Sequence, residues 1–312
     1  MSVSVIAPAR LHFGLVSPGP AERRFGGCGV MLDQPPVEIA VEKSHSWKFG
    51  GRHQEKARTA VEHWLSCRNE SVSPCHVDVR DAPPLHVGLG VGTQLSLAIA
   101  AGLFALFEGE IPTSINLAAN VQRGKRSAIG THGFDHGGFI VDGGKSEDDV
   151  IAELDFQVDL PEEWHWVLVQ PSQKEADLTM HGQRETELFC HANETPLDLR
   201  QRMIEMLRLQ LVPAAVQSDF DQFSTALFEY GFAAGLAFEK EQGGAFNGES
   251  VSRLVQYCRT KVKGVGQSSW GPTVFTLHAS ESAANEFAAN IRKDLGVEPI
   301  ISKTNRGGAT VS

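Results

Sequence analysis

Hydrophobic and polar positions divide the chain into short strands followed by helices. Val3 and Val5 alternate with serines, and residues 10–15 follow a break at Ala7-Pro8-Ala9, so two short strands are predicted. Val37, Ile39 and Val41 alternate with Glu38, Ala40 and Glu42 as a half-buried strand should, and residues 75–80 alternate likewise. Over residues 54–67, Ala57, Ala60, Val61 and Trp64 fall on one helical face. The apolar run 95–107 reads as a buried helix headed by Thr93 as its cap, and residues 114–123 as another helix. A glycine-punctuated loop then runs to Gly144. Further on, a strand is predicted at 166–169, helices at 184–190, 199–211, 219–238 and 250–259, a loop at 263–271, a strand at 273–278 and a helix at 281–295. Strands come first and helices later, without regular strand–helix alternation, which points to an α+β fold. The domain boundary falls within 155–163, giving domains 1–158 and 159–312.

Composition narrows the function. With 41% hydrophobic and 21% charged residues the chain is globular, and its net charge of −10 argues against a general nucleic-acid or membrane-surface binder. Five scattered cysteines without a Cys-x-x-Cys pair read as reduced thiols of a cytoplasmic protein. The N-terminus lacks a signal-peptide pattern, and the longest apolar run is too short to span a bilayer.

Positive charge is concentrated locally, in Arg10, Arg23 and Arg24, and again in Arg123, Lys125 and Arg126. Gly88, Gly90 and Gly92 precede a helix; such a loop is either a phosphate cradle or a tight turn into the core. It lacks the Gly-Lys-Ser/Thr of a P-loop and the acidic marker of a dinucleotide site. Arg10, His12 and Gly14 share one face of their strand, offering either a pair of polar donors or a solvated surface. Arg23 and Arg24 beside a glycine run can fold onto a phosphate or form an exposed basic turn. The densest polar stretch, 123–138, holds Lys125, Arg126, Ser127, His132, Asp135 and His136 among five glycines and is a candidate site. Asp135 and His136, adjacent on an extended segment, point to opposite faces. A second loop, 264–272, carries Gly266, Ser268 and Ser269 and can close over a ligand held by the first domain.

Together these stretches resemble the GHMP superfamily of small-molecule kinases. Pro84 to Leu95 echoes the Pro-x-x-x-Gly-Leu-Gly-Ser-Ser-Ala motif, and Gly264 to Gly271 the C-terminal glycine loop. More specifically, the sequence resembles the beta-ribofuranosylaminobenzene 5'-phosphate synthases at residues 9–15, 24–30, 86–94, 124–131, 136–144 and 264–272. The resemblance implies a GHMP-kinase-like α+β fold, with an N-terminal domain like ribosomal protein S5 domain 2, a ferredoxin-like C-terminal domain and the ligand between them. It implies condensation of phosphoribosyl diphosphate with 4-aminobenzoate or a close 4-substituted benzoate, releasing carbon dioxide and diphosphate, with Mg²⁺ as cofactor. It also implies a setting in methanopterin-type cofactor biosynthesis and is compatible with a homodimer, while the sequence leaves the oligomeric state open.

On this reading Gly88, Gly90, Gly92 and Thr93 receive the diphosphate. Arg10, Arg24, Lys125 and Arg126 hold the phosphates or the carboxylate, and His12, Ser127, Gly266, Ser268 and Ser269 complete the binding set. Asp135 is the magnesium or ribose ligand, with His136 an auxiliary donor. Val91 and Gly92 stand where the kinases carry two serines, which suits a diphosphate donor other than ATP. An ATP-dependent kinase and a catalytically silent binding protein are the alternatives.

Overall fold

The N-terminal strands run longer than their sequence breaks suggest. A computed structural model describes residues 2–171 and 194–312. In it β1 (Ser2–Ser17) and β2 (Phe25–Lys43) form one long antiparallel hairpin. The Ala7-Pro8-Ala9 break does not divide β1. It becomes a register shift between Ala7 and Ala9, opposite the Pro35-Pro36 stretch of β2, where prolines lack ladder donors on both sides.

β2 organises the first sheet. It pairs with β1, with β4 (Cys75–Asp81) and with β5 (Phe139–Asp142). β3 (Lys48–Gly51), β6 (Leu154–Val158) and β11 (Thr310–Val311) complete seven strands. α1 (Gln54–Ser66) and α2 (Val91–Phe107) cover this sheet, joined by α3 (Ser114–Asn120) and α4 (Ile129–His136). α2 lies against the sheet, α1 and α3, and this is why its sequence is apolar nearly all round. At Gly102 a Cβ would lie 2.9 Å from Val41 Cγ2, so glycine sets the closeness of helix and sheet.

The second layer is the four-stranded antiparallel sheet β10-β7-β9-β8, built from β7 (His165–Val169), β8 (Val265–Gln267), β9 (Val274–His278) and β10 (Ile300–Lys303). Between β7 and β8 come α5 (Leu197–Met206, continuing through a π turn to Gln217), α6 (Phe220–Leu236) and α7 (Gly248–Arg259). α8 (Glu281–Leu295) joins β9 to β10. Leaving out α5 and α6, the order is β-α-β-β-α-β, the ferredoxin-like arrangement. The helix expected at 184–190 lies outside the described residues.

Phe13, Phe139, Trp166, Phe223 and Phe275 join the layers, with Phe13 centred 5.4 Å from Phe275 and 5.9 Å from Trp166. The C-terminus returns to the first layer, where Ser302 Oγ donates to Asp33 and β11 pairs with β1.

Candidate active site

The glycine loop is bent by left-handed backbone at Gly88 (φ 91°) and Gly90 (φ 69°). α2 begins at Val91, two residues before the expected start, and Gly90 rather than Thr93 occupies the cap position. No side chain caps the helix, and Thr93 N–H already donates to Gly90 O at 3.0 Å. The N–H groups of Val91 and Gly92 therefore precede the intrahelical ladder, at the positive end of a 17-residue helix.

A cleft of about 240 Å³ opens over this end. Arg10, Lys56 and Arg123 line it with Gly88, Gly90, Gly92 and Thr93; among the described residues no carboxylate does. A Cβ on Gly92 would lie 3.8 Å from both Arg123 Nη2 and Lys56 Cε, so the two cations flank the first helical turn. Arg123 Nε donates to Ser96 Oγ at 3.3 Å. Burial, and then Arg123, lower the pKa of the Lys56 ammonium, and burial lowers that of Arg123. Positive charge gathered at a helix N-terminus, with no carboxylate lining the cleft among the described residues, makes an anion site.

The second loop closes this cleft from the other layer. Ser269, Trp270 and Gly271 line it, whereas Ser268, expected to meet the ligand, is fully buried. Its hydroxyl donates to Gly88 O at 2.6 Å and accepts His12 N–H at 3.0 Å. Thr273 Oγ1 donates to Val87 O at 2.6 Å, and Ser269 N–H to His12 O at 3.0 Å. Ser268 and Thr273 thus clamp the glycine loop. Gly266 lies in β8, where a Cβ would come within 2.4 Å of the Phe275 ring, and it packs rather than binds.

His12 is buried beside Arg10. Its Nδ1 accepts Gly14 N–H at 3.0 Å, which places the ring proton on Nε2, and that nitrogen meets no hydrogen-bond partner. Burial, and then Arg10, hold this imidazole well below its usual range, so it is a neutral donor.

The polar stretch after Gly124 is not all loop, because residues 129–136 form α4. Asp135 and His136 are therefore neighbours on a helix, not on opposite faces of a strand. The Asp135 carboxylate accepts Ser114 N–H at 2.8 Å and so caps α3, while His136 is exposed. One oxygen of Asp135 is thus committed to α3, and among the described residues no group of three or more His, Cys, Asp or Glu could hold an ion unaided, so a magnesium here would need ligands from the substrate's phosphates. Ser127 Oγ donates to Asp142 at 3.1 Å, alongside Ala128 N–H at 2.8 Å and Gly144 N–H at 3.2 Å. Burial pushes Asp142 up to about 6 against these bonds.

Arg24 donates to Gly19 O and Pro18 O and covers the Phe25 ring. It neighbours Lys145, whose pKa is lowered by burial and then by Arg24, with Lys125 adding to the effect. Lys125 is exposed and Arg126 half-buried. The cleft thus gathers Arg10, Gly88, Gly90, Gly92, Thr93 and Ser269. Arg24, Lys125, Arg126, Ser127, Asp135 and His136 do not line it, although α4 leans on it: Gln94 Nε2 donates to Gly130 O at 2.7 Å.

Lys56 and Arg123 were missing from the expected set. Arg123 stands in the cationic run. Lys56 carries no local signal, since its neighbours on α1 are ordinary helix formers.

Residues 211–296 match the family model described as GHMP kinases C terminal. The beta-ribofuranosylphenol 5'-phosphate synthase of Archaeoglobus fulgidus is 30% identical over 298 residues, covering 89% of this chain and 88% of that one. Its namesake in Methanothermobacter thermautotrophicus is 30% identical over 301 residues, covering 86% and 87%. Among solved structures, the phosphomevalonate kinase of Streptococcus pneumoniae superposes with TM-score 0.70 at 13% identity, covering 98% of this chain and all of that one. The putative homoserine kinase of Listeria monocytogenes gives 0.67 at 13%, covering 99% of each. These kinases share the fold. Nearly full-length identity of 30% to the synthases settles the family: the chain belongs to the beta-ribofuranosylphenol 5'-phosphate synthases, enzymes of the GHMP kinase superfamily.

Proposed function

We propose that this enzyme transfers the phosphoribosyl group of phosphoribosyl diphosphate to the ring carbon of a 4-substituted benzoate, releasing diphosphate and carbon dioxide. The observation that carries the reading is the glycine cleft, with three cations, a helix N-terminus and no lining carboxylate among the described residues. When the bond from ribose C1 to the diphosphate breaks, its electron pair leaves with the diphosphate. Arg10, Lys56, Arg123 and the first amides of α2 receive that charge in place, which lowers the barrier.

The ring carbon bearing the carboxylate attacks C1, driven by the lone pair of the 4-substituent. The bond to the carboxylate then breaks, its electrons restore aromaticity, and carbon dioxide departs. No proton need be removed from that carbon, so alignment outweighs base strength. Arg24, Lys125 and Arg126 are the candidates for the sugar 5'-phosphate, and His12 for a neutral hydrogen-bond donor. Magnesium enters this reading on the donor's own diphosphate, not on Asp135.

The relatives' names carry a phenol, which favours 4-hydroxybenzoate as acceptor; 4-aminobenzoate has the same electronic push. Such a product belongs to the synthesis of methanopterin-type carriers in the cytoplasm. Among the described residues, no helix is long and apolar enough to cross a membrane. The test is diphosphate release from phosphoribosyl diphosphate with each benzoate in turn. Arene-dependent release supports the reading, while ATP-dependent phosphorylation of a small alcohol without such release overturns it.

A further inference from the structure

A second cleft, of about 420 Å³, lies where the tip of the β1–β2 hairpin, the β5–β6 turn and α5 meet. One wall is apolar, formed by Val16, Phe25, Val141, Ile204 and Leu207. Three guanidiniums reach it, from Arg23, Arg200 and Arg208, against the carboxylates of Glu22, Asp142 and Asp155. Its charges nearly balance, unlike those of the glycine cleft. A dianionic phosphate is poorly served here.

The guanidiniums are not equally engaged. Arg208 Nη2 is 2.5 Å from Asp155 Oδ2. Arg23 donates to Gly143 O at 3.0 Å and to Gly144 O at 2.8 Å, and stands 3.9 Å from Asp149. Arg200 pairs with no carboxylate among the described residues, and its charge is the uncommitted one. An apolar wall with one spare guanidinium suits an aromatic ring bearing one negative charge.

The position also fits. Gly27 lines this cleft, and a Cβ there would lie 3.5 Å from His12 Cε1, while Arg10, two residues before His12, lines the glycine cleft. Asp142, on the wall of the second cleft, holds the start of α4, whose Gly130 would place a Cβ 3.6 Å from Thr93 Cγ2 in the first. One lining residue of each cleft, Asp142 and Thr93, thus meets the start of α4.

We propose that this second cleft is the acceptor subsite, the ring of the benzoate lying against Phe25 and Leu207 and its carboxylate pairing with Arg200. The assignment rests on the reaction proposed above. The carboxylate keeps its charge until the bond to C1 has formed, so an ion pair there holds the ring equally in the bound substrate and during the attack. Loss of Arg200 should raise the acceptor KM and leave kcat nearly unchanged.

The test compares wild type with Arg200→Met and Arg200→Lys in steady-state assays, with the fold of each checked by thermal melting. Calorimetric titration with unreactive benzoate, with inorganic diphosphate present, runs alongside. For Arg200→Met we expect an acceptor KM and a benzoate Kd raised about tenfold or more, unchanged donor KM, and partial recovery in Arg200→Lys. An unchanged acceptor KM, a raised donor KM, or a fall in kcat alone overturns the assignment. Should wild type bind benzoate through Arg200 yet turn nothing over, the reaction fails and the subsite stands. Absent or Arg200-independent benzoate binding, with turnover intact, removes the subsite and leaves the reaction.

Discussion

Lys56→Met separates the binding role of the glycine cleft from its structural one. Lys56 has no ion-pair partner among the described residues; its near cationic neighbour is Arg123, and the fold depresses the pKa of its ammonium. The sign follows from that depression. At neutral pH the charged form is disfavoured in the folded state, and the cost is relieved only as pH rises toward the unfolded value of 10.5. Removing this charge should leave the melting temperature unchanged or slightly higher.

Diphosphate binding should weaken instead. A charge-assisted hydrogen bond contributes about 1.5–3 kcal/mol, and because the side chain is half-exposed the lower figure applies, close to tenfold in Kd. Calorimetric titration of wild type and variant with inorganic diphosphate at two salt concentrations measures this. The gap should narrow at the higher salt as screening weakens the lost attraction. A diphosphate Kd within twofold of wild type, or a melting temperature several degrees lower, would refute the assignment of Lys56 to the anion.

Two further outcomes follow from buried groups. Ser268→Ala leaves His12 N–H and Gly88 O buried without their partner, which should destabilise the protein by about 2–4 kcal/mol and raise the donor KM; an unaltered denaturation midpoint contradicts the clamp. Asp142 is raised from 3.8 to about 6, so the folded state holds its proton more tightly than the unfolded one. Its contribution is full below pH 3.8 and is lost as pH rises through about 6, roughly 3 kcal/mol in all. Urea melts across that window should show a flatter profile for Asp142→Asn than for wild type, and parallel profiles would remove Asp142 as the cause.

Much of the fold was legible where one rule acted alone. The alternation at Val37–Val41, the α1 face and the fully apolar α2 each follow from one period and one buried surface. The glycine loop was legible for the same reason, since left-handed backbone at Gly88 and Gly90 leaves a local mark. α4 was not, because its glycines read as loop. Gly133 is there to let the helix approach the sheet, where a Cβ would come within 2.2 Å of Met31 Sδ. Asp135 looked like a ligand because its partner, Ser114 N–H, lies 21 residues away and only the tertiary fold brings it near. Lys56 and Arg200 escaped for the converse reason: each sits on an ordinary amphipathic helix, and what distinguishes it is that no carboxylate among the described residues pairs with it, which no local pattern records.

The most direct measurement uses acceptor labelled at the carboxyl carbon, incubated with phosphoribosyl diphosphate and Mg²⁺, and counts labelled carbon dioxide against diphosphate. Equal amounts, abolished when either substrate is omitted, are what transfer to the carboxyl-bearing carbon predicts. Diphosphate formed while the label stays on the arene would contradict it.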